Sequence, residues 1–362
     1  MADHHPCLDR LPDCSRPLNP LSVRFIPYAE ARQQPNIVVD GAPLPSSLLT
    51  LSHWPNNQSP AAARRDTSTA TVFAWLDKPE PQISVPFVTN NHFDEDGLFS
   101  VFALSEPQQA LAMRELLIAA SFAGDFGVVR RRDAARLCFI IEALTDPASG
   151  ALPAAVFAAS DRVGALYQAV LPMLPEIVRD LQQGSPRFGA LWAVPDEHLS
   201  ASEALLADGT VTIEELPEID LAIVRIPSQL PPRSMRRYLE DEQAAVHPFA
   251  VNSATRCTRL LRVQGQHYEF EYRYESWLQI VSRRVPLRVR LEGVVERLNA
   301  LETAAPMWIA DDPMTGIVPR LRRSDASPST LSLETVIAEL RSAFDSAPVA
   351  WDPCDWTKHG PA

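Results

Sequence analysis

Residues Phe87–Leu104 read FVTNNHFDEDGLFSVFAL. The segment begins with an apolar run, continues through a polar and acidic stretch, and ends in a second apolar run. This order predicts a buried strand, a turn and the start of a helix near Leu98. Gly97, at the end of the acidic stretch, is expected to let the backbone turn sharply into that helix. We therefore expect the acidic turn to lie at the carboxyl end of a strand, where parallel α/β sheets bind their ligands.

Short strands and helices alternate on both sides of this segment. Apolar runs at Asn36–Asp40, Leu48–Trp54 and Ile83–Thr89 are typical of buried strands, and several alanine- and leucine-rich stretches are typical of helices. The alternation over residues 36–190 predicts an α/β domain with a largely parallel sheet flanked by helices. The second half differs, because its strand-like runs at 259–264 and 267–274 are separated only by Gly-Gln. That spacing predicts a hairpin and a second, α+β domain.

The length of 362 residues exceeds the range in which a single core usually grows. We expect a poorly structured N-terminal segment over residues 1–34, which are rich in proline and charge. An α/β metal-binding domain is expected over 35–200, an α+β substrate or lid domain over 201–350, and a tail over 351–362.

Composition narrows the class of protein. The net charge of −12 disfavours bulk binding to nucleic acid. The five cysteines are odd in number and form no CxxC pair, which argues against a thiolate zinc site and a disulfide framework. Neither an apolar signal core nor a run of about 20 apolar residues is present. These features predict a cytoplasmic protein that does not associate with membranes.

The acidic turn carries ligands at alternate positions. Side chains two residues apart in an extended turn point to the same side, so His92, Asp94 and Asp96 are expected to converge. One imidazole and two carboxylates suit a divalent ion such as manganese, magnesium or zinc. The alternative is an exposed loop whose carboxylates cap the following helix. The histidine, the glycine and the flanking strand and helix together favour the metal site.

The sequence HFDEDG at residues 92–97 resembles the HxDxDG first motif of the DHH phosphoesterase superfamily. This superfamily includes single-strand exonucleases, cyclic-dinucleotide phosphodiesterases and a class of inorganic pyrophosphatases, which bind two manganese-type ions and activate a bridging water. The resemblance covers only the segment 87–104, and it implies that His92, Asp94 and Asp96 are metal ligands with a catalytic role. The whole chain is also similar to an uncharacterised bacterial family.

Further ligand candidates follow from the same resemblance. The second superfamily motif is a single aspartate after a strand, and Asp125, flanked by Gly124 and Gly127, is the candidate for it. An ordinary loop that ends a helix is the alternative interpretation there. Asp40, at the end of a strand, and His53 are candidates for a degenerate third motif.

The degenerate motif has the sequence SHWPNN and precedes the first motif instead of following it. Serine stands in place of the aspartate of the superfamily motif, and tryptophan in place of its second histidine. A proline turn with a packed Trp54 is the alternative.

No glycine-rich substrate motif follows in the second half. Arg283, Arg284 and Arg322 are the candidates for substrate binding, since arginine suits bidentate recognition of phosphate or carboxylate. The alternative is that each of them is solvated or paired with an acidic residue.

Together these features predict a metal-dependent hydrolase, above all a phosphoesterase that uses a metal-activated water. Its substrate would be a phosphorylated small molecule or a short nucleotide, and its cofactor a divalent metal, with manganese first and magnesium or zinc as alternatives. A non-catalytic metal- or ligand-binding protein on a degenerate phosphoesterase scaffold is the second hypothesis. A third is a metal-free protein that uses the hairpin domain for protein contacts.

Overall fold

A computed structural model describes residues 23–78, 83, 85–184, 187–303, 305, 307–314 and 317–355. The strands are β1 (Arg24–Phe25), β2 (Asn36–Val39), β3 (Ser47–Leu51), β4 (Phe87–Thr89), β5 (Thr212–Leu216), β6 (Leu221–Ile226), β7 (Arg233–Arg237), β8 (Glu240–Ala244), β9 (Arg259–Gln264), β10 (His267–Tyr272), β11 (Arg288–Val289), β12 (Trp308–Ala310), β13 (Arg320–Arg323) and β14 (Val349–Trp351). The helices are α1 (Tyr28–Ala31), α2 (Ser68–Leu76), α3 (Glu95–Ser105), α4 (Pro107–Phe126), α5 (Arg132–Thr145), α6 (Ala154–Phe157), α7 (Arg162–Val170), α8 (Leu174–Gln183), α9 (Gly189–Ala207), α10 (Pro248–Ala254), α11 (Glu292–Leu301) and α12 (Leu333–Ser346).

The first sheet has the strand order β1-β4-β2-β3, and its strands pair in parallel. The central strand β2, NIVV, is fully buried. After the hydrogen-bonded Asn36 its residues are all apolar, as is typical of a parallel strand covered on both faces. Ile37 is in register with Leu49 of β3 and Val88 of β4. The carboxyl ends of β2, β3 and β4 therefore lie side by side, as the acidic segment predicted.

The expected alternation of strands and helices stops at β4. From α3 to α9 the described residues form helices and their connections without a further strand. These helices bury a continuous apolar core with the parallel sheet, including Phe102, Leu117, Ile140 and Leu199. Helix-on-helix packing thus replaces additional strands, and the prediction of an α/β pattern up to residue 190 is wrong for this part.

The second half contains a six-stranded sheet with the order β12-β13-β10-β9-β6-β5. Its pairings are antiparallel except for β6 with β9, which is parallel. The predicted hairpin is confirmed as β9–β10, and Gly265 in its turn has a φ of +61°. Helices α11 and α12 cover one face of the sheet and α10 packs on the other. The mixed α/β class of the chain is therefore confirmed.

Elements of the structure extend across the expected domain limits at three places. Residues 1–22 lie outside the described residues, but β1 and α1 occupy part of the segment 1–34 that was expected to lack regular structure. Strand β1 is ordered because Arg24 pairs with Phe87 at the edge of the parallel sheet. Helix α9 runs through the expected boundary at 200, since its residues pack on both halves. The expected tail begins inside β14, which pairs with β11, and residues 356–362 lie outside the description.

Two features of the second half bear on the site. Strands β7 and β8 form a separate two-stranded hairpin that the sequence analysis missed. An aromatic cluster joins the halves, with Phe126 of α4 packed against Tyr274 and Leu278. Within the described part of the chain, every helix is too short or too polar to cross a bilayer.

Candidate metal centre

The parallel sheet brings the predicted ligands to one edge. Asp40 directly follows β2, His53 follows β3, and His92 and Asp94 follow β4. Because the three strands are adjacent and parallel, side chains that follow their carboxyl ends meet although the chain visits the strands in a different order. Asp40 has a φ of +46°, in the left-handed region that aspartate tolerates better than most residues.

Asp40 lies at the middle of the site. Its Oδ1 is 3.3 Å from Nε2 of His53, and its Oδ2 is 3.3 Å from Nε2 of His92. The His92 Nε2 is also 2.9 Å from Oδ2 of Asp94. Two potential metal-binding groups result, Asp40–His53–Asp96 and Asp40–His92–Asp94, and the ligand atoms of each lie within 4.8 Å of one another. The Asp40 carboxylate belongs to both groups.

The His53 ring is oriented by a backbone carbonyl. Its Nδ1 lies 2.6 Å from the carbonyl oxygen of Asp66, so Nδ1–H donates there and Nε2 faces the carboxylates. Nε2 is 3.8 Å from Asp96 and 3.6 Å from Asp125. Histidines that bind metals are commonly fixed in this way, with one nitrogen donating to a carbonyl and the other directed to the ion.

Asp96 is held by the N-terminus of α2. Its Oδ2 accepts a hydrogen bond from the Ser68 amide at 2.6 Å and its Oδ1 accepts one from the Thr69 amide at 2.7 Å. The Ser68 hydroxyl also donates to Oδ1 of Asp40 at 2.8 Å. An ionised carboxylate has about four lone-pair sites, so these bonds fix Asp96 and still leave acceptor capacity for an ion.

One residue of the acidic turn, Asp94, also caps the following helix, as the alternative interpretation expects. Asp94 is the N-cap of α3, and its Oδ1 accepts a hydrogen bond from the Gly97 amide at 2.8 Å. Its other oxygen, Oδ2, is the one that faces His92. The Asp94 carboxylate therefore caps the helix with one oxygen and faces His92 with the other.

The expected role of Gly97 is wrong. Helix α3 begins at Glu95, before the predicted start near Leu98, and Gly97 lies inside it. A Cβ at this position would lie 2.2 Å from Nδ2 of Asn90 and 2.6 Å from the hydroxyl of Tyr167. Glycine is needed for this close approach, which lets Asn90 at the end of β4 pack against α3.

The expected turn at Asp125 is also corrected. Helix α4 continues to Phe126, and Gly127, with a φ of +65°, ends it. Gly124 is helical and would place a Cβ 2.9 Å from the Glu95 carboxylate. Asp125 therefore lies in the last turn of a helix instead of following a strand, and Asp40 is the aspartate that follows one.

Burial and charge perturb the histidines and Asp40 strongly. Burial alone would raise the pKa of Asp40, but its hydrogen bonds to His53 and His92 outweigh burial and lower that pKa. Burial opposes protonation of His53, yet the hydrogen bond and charge of Asp40 raise its pKa to about 9. The pKa of His92 is raised well above its usual value, because the charge of Asp94 and the hydrogen bond to Asp40 outweigh burial.

The site contains more carboxylates than imidazoles, so not every carboxylate is balanced by a histidine. Burial, followed by the charge of Asp40, raises the pKa of Asp96 to about 7. Burial and the charge of Asp96 raise the pKa of Asp125 well above its usual value. The buried Oδ2 of Asp125 also has no hydrogen-bond partner among the described residues. A divalent cation fits such a site, because it would stabilise the ionised carboxylates and give this oxygen a ligand role.

Residues of the second half fix the end of α4. The Tyr238 hydroxyl donates to the Asp125 carbonyl at 2.8 Å. The Phe126 carbonyl accepts hydrogen bonds from Asn252 Nδ2 at 2.9 Å and from Arg273 Nη2 at 3.2 Å. The last carbonyls of a helix have no hydrogen-bond partners within it. These three side chains donate to them and so hold Asp125 in place.

The second half also holds the segment that carries His53. The Gln279 amide donates to the His53 carbonyl at 3.0 Å. The carboxylate of Asp66, whose carbonyl orients His53, accepts from the amides of Val281 and Ser282 at 2.9 Å each.

Trp54 lies between the site and the second half. Its ring is 5.0 Å from that of His92 and 5.2 Å from that of Trp277. The packed tryptophan that was the alternative interpretation of SHWPNN is therefore present, and it lies beside the candidate ligands.

The predicted substrate arginines are not brought to the ligands. Arg283 donates to the Arg256 carbonyl at 2.8 Å, and Arg284 is exposed. Arg322 pairs with Asp311 at 3.0 Å and lines a cavity of the second sheet that none of the candidate ligands lines. None of the three arginines makes a hydrogen bond or ion pair with a candidate ligand in the described part of the chain.

Comparison with known proteins places the chain in a family without assigning an activity. Searches of curated proteins and of solved structures gave no match. The sequence profile of a family of unknown function, DUF6687, matches residues 21–355. The match includes both sheets and all the candidate ligands, and the chain therefore belongs to the DUF6687 family.

Proposed function

We propose that the chain is a metal-dependent hydrolase, and within that class a phosphoesterase that uses a metal-activated water. The observation that carries the proposal is the position of Asp40, whose two oxygens face two different histidines at 3.3 Å each. A carboxylate shared by two ligand groups is the arrangement required to hold two ions about 3.5–4 Å apart, as in two-metal hydrolases.

The residues divide into two sets around Asp40. His92 and Asp94 would hold one ion with it, and His53 and Asp96 would hold the other. Asp125, through the oxygen that has no hydrogen-bond partner among the described residues, would complete the second set. Bound ions would supply a water of lowered pKa and neutralise charge on the oxygens of a phosphoryl group. The chain itself contributes orientation, through the Asp66 carbonyl on His53 and the α2 amides on Asp96.

The resemblance to the DHH phosphoesterase superfamily supports this proposal. The degenerate motif precedes the first motif in the chain, but β2 lies between β4 and β3 in the sheet. Adjacent parallel strands therefore bring Asp40 and His53 to His92 despite the altered order. Manganese is the ion proposed first, and a phosphorylated small molecule or short nucleotide is the proposed substrate.

A non-catalytic metal-binding protein is the second candidate. It is favoured by the departures of the SHWPNN segment from the third motif of the superfamily, where serine replaces the aspartate and tryptophan replaces the second histidine. The two candidates agree on metal binding and differ only in turnover.

The first test measures metal content and the thermal stabilisation produced by manganese. We expect the wild type to be stabilised by about 2.7 kcal/mol when free manganese is 100 times its Kd. Asp125→Asn should lose most of this stabilisation, since it replaces a carboxylate oxygen that has no hydrogen-bond partner among the described residues and lies 3.6 Å from Nε2 of His53. Asp96→Ala should lose it too. Asp77→Asn, which breaks an exposed ion pair with Arg114, is the matched control and should respond like the wild type.

Turnover of a generic phosphodiester with manganese then separates the two candidates. Turnover that Asp125→Asn loses and Asp77→Asn retains supports the phosphoesterase. Specific metal binding without turnover supports the binding protein. A protein that takes up no metal, and whose Asp96→Ala variant behaves like the wild type toward manganese, would reduce the acidic turn to a helix cap and remove the proposal.

A further inference from the structure

A cavity of about 380 Å³ lies beside the candidate metal centre and is lined by arginines. Four guanidinium side chains and two carboxylates contribute to its wall, namely Arg130, Arg256, Arg273, Arg283, Asp66 and Glu275. We call this cavity the arginine pocket. Its excess of positive charge contrasts with the net charge of −12 of the chain.

The carboxylates of the arginine pocket are already engaged. Asp66 accepts two backbone hydrogen bonds through Oδ1. Glu275 is 2.6 Å from Arg273 and 3.8 Å from Arg283. These interactions neutralise the innermost arginines. Among the described residues, the outer ones, Arg130 and Arg256, have no ion pair or side-chain hydrogen bond with a carboxylate, and the charge of Asp66 acts on Arg130 from beyond ion-pair distance.

The guanidinium N–H groups of the outer arginines make no hydrogen bond with another described residue. The Arg130 guanidinium lies over the Phe122 ring, 3.5 Å from its centroid, a contact that uses the face of the guanidinium and not its N–H edges. Arg256 is exposed, and its carbonyl accepts a hydrogen bond from Arg283 at 2.8 Å, which ties the two residues together. Planar guanidinium edges of this kind match the oxygens of phosphate or carboxylate.

At the buried end of the pocket, two polar atoms have no hydrogen-bond partner among the described residues, Nε of Arg273 and Oε2 of Glu275. Arg273 is only 1% exposed. The unpaired Nε–H of Arg273 carries a desolvation cost that an anion or a water bound in the pocket would offset, whereas the unpaired oxygen of Glu275 needs a donor such as a water.

Phe126 and Asp66 separate the pocket from the metal centre. Both residues line the pocket, the Phe126 ring is 6.2 Å from that of His53, and the Asp66 carbonyl orients the same histidine. An anion in the pocket is therefore close to the ligands without contacting them.

We propose that the arginine pocket binds a small, multiply charged oxyanion of the phosphate type. The anion is either a distal group of the substrate of the proposed hydrolase or a separate molecule, and the same chemistry recognises both. Binding to Arg130 and Arg256 needs no metal, so it does not depend on the proposed function.

The test uses the full chain in a chelator, with inorganic phosphate and pyrophosphate as probes at constant ionic strength. We expect saturable thermal stabilisation of the wild type. Arg256→Glu should weaken the affinity at least about tenfold, because the substitution adds a repulsive charge where an attractive one stood. Arg256→Ala should show a smaller loss in the same direction.

Arg284→Glu is the matched control. Arg284 is an exposed neighbour of Arg283 and carries the same charge, but it does not line the pocket, so its variant should keep the wild-type affinity. Asp125→Asn should also keep it, which separates the pocket from the metal centre. No saturable response of the wild type, or equal losses in Arg256→Glu and Arg284→Glu, would overturn the proposal.

Turnover with manganese then shows whether the bound anion is part of the substrate or a separate molecule. A raised KM of a phosphorylated substrate in Arg256→Glu, with kcat unchanged, identifies a distal group of the substrate. An unchanged KM alongside weakened pyrophosphate binding identifies a separate anion. Failure of the chelator experiment leaves the metal result untouched, so the two proposals fail independently.

Discussion

Single side chains around the site tolerate little change in volume. Gly97 admits Asn90 and Tyr167 to the surface of α3, and the Asn90 amide donates to the Tyr167 hydroxyl at 3.0 Å. Gly41 is similar, because a Cβ there would lie 2.1 Å from Oδ1 of Asn91. These two glycines allow the loops after β2 and β4 to approach their neighbours, which places Asp40 next to His92.

Gly97→Ala should therefore destabilise the chain by about 1–3 kcal/mol, the usual cost of overpacking a closely packed site. The free energy of unfolding in urea measures it. Gly189→Ala is the control, since nothing described lies within 4 Å of the added Cβ, and it should cause no loss. Equal stability of the Gly97→Ala variant and the wild type would show that Asn90 moves away without cost.

A buried histidine outside the candidate site makes stability depend on pH. Burial and the nearby charges of His198 and Arg237 lower the pKa of His247 to about 3 from 6.5. Its Nδ1 accepts a hydrogen bond from the Phe249 amide at 3.1 Å, which also requires an unprotonated nitrogen. In the unfolded chain His247 is therefore protonated as the pH falls below 6.5, whereas in the folded chain it is protonated only near pH 3.

The contribution of His247 is complete above pH 6.5 and is lost as the pH falls toward 3. Stability should fall by at most about 1.4 kcal/mol per pH unit from this group in that window. Urea unfolding at several pH values should show a flatter slope for His247→Asn, which keeps an acceptor for the Phe249 amide. His267→Gln, at an exposed histidine, should keep the wild-type slope, and a wild-type slope in His247→Asn would contradict the assignment.

At the scale of elements, the end of α4 is the point where the second half acts on the site. Arg273 binds the Phe126 carbonyl and also the Thr255 carbonyl, the latter at 3.0 Å. The β7–β8 hairpin reaches the same helix end through Tyr238, in a turn where Tyr238 and Leu239 have φ values of +52° and +64°. A turn with two left-handed non-glycine residues needs support from its surroundings, and contact with α4 provides it.

Removing the Arg273 side chain from the end of α4 should weaken metal binding directly, in addition to any loss of stability. We expect Arg273→Met to lower manganese affinity roughly 10–100-fold, the usual cost of losing a residue that supports a ligand, with partial rescue by Arg273→Lys. Arg259→Met is the matched control, because Arg259 is also buried and donates to two carbonyls, of Ile219 and Leu287. Its stability should fall while its manganese affinity stays unchanged. Equal affinity losses in the two variants would show that Arg273 acts only through stability.

Across the whole molecule, the two halves are joined by an aromatic cluster and by a helix that packs on both of their cores. The aromatic cluster includes Phe126 and Phe122 from α4 and Tyr274 and Leu278 from the second half. Helix α9 contributes Leu199 to the core of the first half and packs Leu205 against that of the second. Neither half keeps these apolar surfaces buried alone.

We therefore expect one cooperative unfolding transition for both halves. Far-UV circular dichroism, to which the first half contributes most of the helices, should coincide in urea with tryptophan fluorescence, to which tryptophans of both halves contribute. Two separated transitions would show that the halves are independent domains.

Neighbouring residues in the chain are enough to predict several local elements and the candidate ligands. The apolar residues of β2 and the acidic turn are patterns of neighbouring residues, so the strand and the turn are predicted from the chain alone. The spacing of the acidic turn predicts that His92, Asp94 and Asp96 converge, while Asp40, His53 and Asp125 are candidates only through the resemblance. The sequence misplaces the start of α3 and the end of α4, because glycine predicts a turn where packing requires it inside a helix.

The meeting of these candidate ligands depends on the tertiary structure. Strand order places β2 between β4 and β3, and pairing between strands about fifty residues apart in the chain leaves no local pattern to read. The residues that hold the site, such as Tyr238, Asn252 and Arg273, follow no motif, because their role comes from the helix end they reach. Local preference sets each element, but burial and hydrogen bonding between distant segments set where its side chains point.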